Sequence, residues 1–294
     1  MKAVETKTRI SIRNILFATD FSPVADAAGP FAIQIARSYG AKVYGLHVNP
    51  AFDYTATAPD VWPAMTKAVE KENKEHAERL ERQLKGVEHE VFIGEGNVWN
   101  AISKLIAEKQ IDLLILGTHG RTGLGKVFLG SVAEQILRHA PCPVLTVGPH
   151  VLMEAETAVE MKQILYATDL ALDFTPAADY AVSLAQENQA RLTLLHVIDE
   201  ERRGEFVHPS ELMDAKLRSL RQLVPPEAEL WCEPTCWVRY GEPAEKILEA
   251  AKELGASLIV LGARPAGELA THFAAGTVHA VVSKARCPVL TVRG

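Results

Sequence analysis

The chain has 294 residues, 48% of them hydrophobic and 23% charged, the balance of an ordinary globular protein with room for about two domains of roughly 150 residues each. A formal net charge of -6 argues against broad electrostatic binding to nucleic acid or to an anionic membrane. Four cysteines do not make a disulfide scaffold, no run of about 18 apolar residues occurs, and residues 1–9 are polar with no apolar leader; the expectation is a reducing cytoplasm without membrane association.

Strand and helix patterns alternate from the start. Residues 12–18 are a short apolar, β-branched run ending in Thr19-Asp20, which predicts a buried strand. Residues 23–38 carry Pro23 at the start and Gly40 just past the end, as helices prefer. Residues 42–48 predict the next strand, and 49–62 an irregular connection with Pro50, Pro59 and Trp62. A long charged helix follows over 63–85, most simply a solvated face. Residues 88–93 alternate like a strand, 97–109 are helical, and Leu113-Leu114-Ile115-Leu116 is a fully apolar strand closed by a glycine-rich loop. Residues 131–139 predict the last helix and 143–147 the last strand of this series. Such β-α alternation implies a parallel sheet with helices on both faces.

The series then repeats. Ile15 to Asp20 returns as Ile164 to Asp169, Leu46-His47-Val48 as Leu195-His196-Val197, and Cys142 to Val147 as Cys287 to Val292. The shift is 149 at the first two pairs (20 to 169, 47 to 196) and 145 at the third (142 to 287), so the length difference lies in the middle connection. Strands of the second half are predicted to begin near Gln163, Arg191, Trp231, Ser257 and Val289. An ordered repeat of this kind sets the architecture: two tandem α/β domains, 1–150 and 151–294, each with a five-stranded parallel sheet. A short apolar last strand is an aggregation hazard unless covered. Antiparallel pairing of the two last strands would cover both, giving an intramolecular pseudo-dimer, with a further homodimer left open.

In doubly wound sheets, ligands bind beyond the carboxyl ends of the strands, where strand order reverses. Three features fall at such ends: Thr19-Asp20, His47-Val48, and the segment from Gly117 to Ser131. Glycines allow close backbone approach to a phosphate, and the free N–H groups of a helix start near Gly130-Ser131 favour an anion. Arg121 and Lys126 add positive charge, while Asp20 suits a ribose hydroxyl or a hydrated Mg²⁺. Taken alone, the loop also fits a flexible surface connection. Gly120-x4-Gly125-Lys126 approaches a P-loop, but Val127 stands where the Mg²⁺-binding Ser or Thr belongs, and no helix opens immediately after the Lys.

Gly117-x2-Gly120-x9-Gly130-Ser131 resembles the G-x2-G-x9-G-[S/T] signature of the ATP-binding universal stress proteins. The strand-one Asp, the Leu-His-Val strand and the closing Cys-Pro-Val-Leu-Thr-Val strand agree, twice along the chain. The resemblance implies two tandem Rossmann-like domains of the adenine nucleotide alpha hydrolase type, pairing through the last strand. It further implies ATP, with or without Mg²⁺, held by Thr19, Asp20, Val48, Leu116, Gly117, Gly120, Gly130, Ser131 and Val132; Ala18 at the strand end and His119 and Arg121 in the loop are added as candidates by position and charge. Strand-one residues and Val48 would surround adenine and ribose, and the glycine loop and Ser131 the phosphates. No dedicated metal site is expected beyond Mg²⁺ reached by Asp20 through water.

The second half departs from that signature. Gly120 maps to Pro265, Gly130 to Ala275, Ser131 to Gly276, Arg121 to Ala266 and Lys126 to Thr271. Pro265 has no N–H to donate. Thr168, Asp169, Val197, Gly262, Arg264, Gly276 and Thr277 remain as candidates for a second site with a weakened phosphate grip; Asp169 reads equally as a capping or loop residue. His47 and His196 are expected to be buried structural histidines, and Cys142 and Cys287 packed thiols. Cys232-x3-Cys236 has no second pair and argues for neither metal nor redox chemistry. No nucleophile–base arrangement stands out, which favours a nucleotide-dependent stress sensor or signalling protein with an unknown protein partner over an enzyme. A slow ATPase and a binding module without nucleotide stay as alternatives. A nucleotidyl transferase is disfavoured by the lack of an S-G-G-x-D-S loop and a His-Ile-Gly-His motif.

Overall fold

The computed structural model describes residues 10–50, 61–119, 129–151, 160–170, 175–199, 209–226, 228, 232, 234–263 and 273–293. The first half runs β1 (Asn14–Ala18), α1 (Pro23–Asp26), α2 (Gly29–Tyr39), β2 (Lys42–Asn49), α3 (Trp62–Gln83), β3 (His89–Glu95), α4 (Val98–Lys109), β4 (Leu113–Gly117), α5 (Ser131–His139) and β5 (Val144–Val147). The second half runs β6 (Gln163–Ala167), α6 (Thr175–Asn188), β7 (Arg191–Ile198), α7 (Pro209–Gln222), β8 (Thr235–Tyr240), α8 (Pro243–Leu254), β9 (Leu258–Ala263), α9 (Phe273–Lys284) and β10 (Val289–Arg293).

All ten strands form one sheet in the order β3-β2-β1-β4-β5-β10-β9-β6-β7-β8. Neighbours within each half are parallel, whereas β5 and β10 pair antiparallel with Leu145 opposite Leu290. The two last strands therefore cover each other's open edge, as their apolar character requires. Successive side chains alternate between faces of the sheet. Ile15, Phe17, Leu145, Tyr166 and Leu290 belong to one hydrophobic layer, and Leu16, Val144, Leu165 and Val289 to the other. Each layer includes residues of both halves, so the cores are continuous across the junction.

Backbone geometry repeats even where residues do not. α2 ends on Gly40 at φ 63° and the equivalent position after α6 is Gln189 at φ 49°. α4 ends on Gln110 at φ 49°, and α8 on Gly255 at φ 59°. Both pairs are left-handed helix caps, and each half uses the cheaper glycine at only one of them.

Two expectations need correction. The single helix expected over 23–38 is split into α1 and α2. Pro30 has no N–H to continue the ladder, and the Ala28 N–H turns to Ala25 O at 3.0 Å. The strand expected near Trp231 begins at Thr235. Pro234 precedes it, and the Cys232 N–H bonds Ala228 O at 2.8 Å in a local turn instead of a ladder. Trp231 itself lies outside the described residues.

Leu145 is 1% exposed and sits in the strand that joins the halves. Leu145→Ala is expected to cost about 2–5 kcal/mol. By scanning calorimetry both halves should shift to lower temperature in one transition; a shift of one half alone would show that the shared sheet does not couple them.

Candidate functional site

Strand order reverses between β1 and β4, whose carboxyl ends part to open a cleft of about 400 Å³. Ala18, Thr19 and Asp20 line it from β1, Val48 from β2, and Leu116, Gly117 and His119 from β4. Gly130, Ser131 and Val132 line it from the start of α5. Ten of the twelve residues named for the first site thus meet in one cavity. Gly120 and Arg121, with Gly125 and Lys126, lie outside the described residues. Leu46 and Thr118, from the same strand-end motifs, also line it, and Ala25, Pro50, Val98, Ile102, Ala133 and Ile136 add walls that no motif singled out.

The β1 side is built by a strained turn. Phe21 adopts φ 61°, a left-handed conformation that is costly for a bulky side chain. Local bonds hold it: the Phe21 N–H donates to Thr19 Oγ1 at 2.9 Å and the Ser22 N–H to Asp20 Oδ1 at 3.0 Å. Ser22 caps α1 by accepting from the Ala25 N–H at 3.3 Å, and its hydroxyl donates to His119 O at 3.2 Å, tying the β1 and β4 loops together. α3 clamps the outside of the turn. The Arg79 guanidinium lies 4.4 Å from the Phe21 ring centroid and donates to Asp26 Oδ2 at 2.6 Å, while Gln83 Nε2 reaches Asp26 Oδ1 at 2.7 Å. His47 and His76 stack against the same ring at 4.5 and 5.0 Å. The clamp draws on helix residues 53 to 58 positions away from its partners, which no local pattern announces.

The opposite side is the start of α5. Gly130 is its N-cap, extended at ψ 145°, and no side chain among the described residues caps it. The first-turn N–H groups are left for solvent or an anion. Gly117 has a packing role: a Cβ there would meet Ala25 N at 2.8 Å and Ala25 Cα at 2.9 Å, so α1 can cross the end of β4 only over a glycine. His119 is 9% exposed and its Nδ1 meets Thr118 Oγ1 at 2.8 Å, so it both lines the cleft and braces the loop.

In the second half Leu170 repeats the left-handed turn at φ 60°, with its N–H on Thr168 Oγ1 at 3.0 Å. Thr168 and Asp169 follow β6, Val197 lies near the end of β7, and Gly262 pairs with Val292 on β10 as Gly117 pairs with Val147. Asp169 is exposed, unlike the half-buried Asp20. Gly276 and Thr277 sit inside α9, which starts at Phe273, three residues earlier than the α5 counterpart. Ala275 is a helix former where Gly130 stops α5, so the helix continues through this position. Arg264 lies outside the described residues.

His47 and His196 are 3% and 6% exposed and each donates from Nδ1 to the strand-one Thr carbonyl, Thr19 O at 2.8 Å and Thr168 O at 2.9 Å. They brace the turn. Burial pushes the His196 imidazole below its ordinary value. Burial also pushes the Cys142 and Cys287 thiols up to about 12, the state of inert packed cysteines. No His, Cys, Asp and Glu cluster among the described residues could hold a metal ion directly. No helix among them is long and apolar enough to cross a membrane.

Fold and cleft together define a tandem doubly wound α/β protein with a cleft at the switch point of its first half. The model of the universal stress protein family matches residues 11–148 and again 160–293, and the chain belongs to that family. A universal stress protein of Methanocaldococcus jannaschii is 33% identical over 138 residues, covering 46% of this chain and 81% of that protein. One of Mycolicibacterium smegmatis is 26% identical over 298 residues and covers 95% of this chain and 96% of its own. The crystal structure of a universal stress protein from Archaeoglobus fulgidus superposes with a TM-score of 0.70 at 20% identity, covering 95% of this chain and 98% of that one.

Two expectations come from the site. Gly117→Ala should lower the melting temperature of the ligand-free protein by overpacking against Ala25, at a cost of about 1–3 kcal/mol; an unchanged melt would mean α1 yields freely. For His196, the lowered folded pKa means its stabilising contribution is present above the unfolded value near 6.5 and is lost as pH falls. Urea midpoints at pH 7.5 and 5.5 should therefore fall further in the wild type than in His196→Asn, which keeps a neutral donor; equal falls would remove His196 from the acid response.

Proposed function

We propose that the first-half cleft binds an adenine nucleotide, ATP with or without Mg²⁺, and that the protein serves in stress response as a nucleotide-dependent sensor or signalling protein. The observation that carries this is the convergence, in one cavity, of a carboxylate at the β1 end and the uncapped start of α5 across from it. A volume of about 400 Å³ falls in the range of small-molecule sites. Val48, Leu116, Val98 and Ile102 offer an apolar slot for a base. Asp20 and Thr19 would offer hydrogen-bond partners to a ribose, and the Ser131 and Val132 N–H groups would offer donors to phosphates, the Gly130 N–H being taken by Thr118 O at 2.9 Å. The Asp20 side chain would be the group to orient a hydrated Mg²⁺.

The second half is read as a degenerate site. Its turn is preserved, but Ala275 lets α9 run through the phosphate position, and Pro265 removes a donor.

Calorimetric titration of ATP–Mg²⁺ tests the proposal. One site per chain is expected. Asp20→Asn keeps an oxygen for the Ser22 N–H and removes only the charge, so it should weaken binding about tenfold or more without unfolding the turn. Absence of binding to the wild type would sink the nucleotide reading, and two sites would overturn the assignment of the second half.

A further inference from the structure

We propose that Arg293, contributed by the second half, is a positioning residue for the ligand cleft of the first half, because it holds the far end of the helix whose start forms the cleft wall. The proposal rests on the anion-binding reading of that cleft.

α5 has nine residues, and the carbonyls of its last turn have no intrahelical partners. The Ala140 N–H takes the Ile136 carbonyl at 2.8 Å. The next carbonyl, Leu137 O, accepts from Arg293 Nη2 at 2.6 Å. Arg293 ends β10, the strand that pairs with β5. A cation on a helix C-terminus satisfies an open acceptor and complements the helix dipole. Arg138, on the last turn of α5 itself, is turned to Glu134 at 2.7 Å.

The repeat supplies an internal control. Gly148 is the counterpart of Arg293 (148 to 293) and Val282 of Leu137 (137 to 282), both at a shift of 145. A Cβ placed on Gly148 would stand 3.7 Å from Val282 O and 3.7 Å from Ala285 O. The junction therefore brings the two positions to equivalent carbonyls in both directions. An arm is present in one direction only. The helix it reaches, α5, fronts the complete glycine signature. The helix it does not reach, α9, fronts the altered one. The second half, whose own phosphate grip is reduced, thus supports the site of the first.

The test uses the full chain with Arg293→Met, Arg293→Lys and, as a control, Thr146→Val. The control removes a different cross-junction side-chain bond, Thr146 Oγ1 to Val289 O at 3.1 Å. Without nucleotide, amide hydrogen exchange over residues 129–139 should be about threefold faster in Arg293→Met. It should be largely restored in Arg293→Lys, and exchange over α9 should not change. ATP–Mg²⁺ affinity should fall by a similar factor in Arg293→Met and recover in Arg293→Lys. Unchanged exchange of α5, equal acceleration by Thr146→Val, or unaltered affinity despite a loosened α5 would each overturn the role of Arg293. A wild type that binds no ATP would sink the nucleotide reading alone, and the exchange result would then uphold or overturn the hold on α5 by itself.

Discussion

The antiparallel pairing of β5 with β10 is the contact on which the rest of the molecule depends. Each half ends on a short apolar strand whose outer edge carries unpaired backbone groups. Placing the two edges together satisfies those groups and turns two five-stranded sheets into one of ten. Because the strands alternate side chains between faces, the same pairing brings Leu145 beside Leu290 in one layer and Val144 near Val289 in the other. The hydrophobic layers are therefore shared, and the halves are joined by burial on both faces as well as by main-chain bonds.

Within each half the recurrent local device is the turn after the first strand. Its left-handed residue, Phe21 or Leu170, costs about 1–2 kcal/mol in that conformation. It is held by a threonine hydroxyl in front and by a buried histidine on the threonine carbonyl behind. The first half adds the Arg79–Asp26–Gln83 clamp and the Phe21 ring stack. Strain of this kind persists only where the surroundings over-determine it, and it aims Asp20 into the cleft.

The halves have kept their backbones and diverged in their chemistry. Helix caps, turn and sheet register repeat, yet Gly130 became Ala275 and Arg293 stands where the first half has Gly148. At the helix starts, Gly130 caps α5, whereas α9 begins three residues before the equivalent position. A one-residue change at a strand end decides which helix is braced from across the junction.

Much of the fold was legible in the chain because its signals are local. Apolar, β-branched runs of four to eight residues, a repeated Thr-Asp, and glycines after strands and helices name the strands, their order and the cleft end. The α5 start was read to the residue, since Gly130-Ser131 is both a loop end and a cap. The break at Pro30 and the late start of β8 at Thr235 were missed where a proline competes with a continuing apolar pattern. The clamp on Phe21, the packing demand at Gly117 and the reach of Arg293 to Leu137 join residues far apart in sequence, so no spacing rule reveals them. By itself the sequence determined the architecture, the duplication and the identity of most cleft residues, because periodicity and turn chemistry act over a few residues. Only the tertiary structure decided which glycine serves packing, what steadies the strained turn and which half supports the other, because those depend on contacts that exist only once the sheet has closed across the junction.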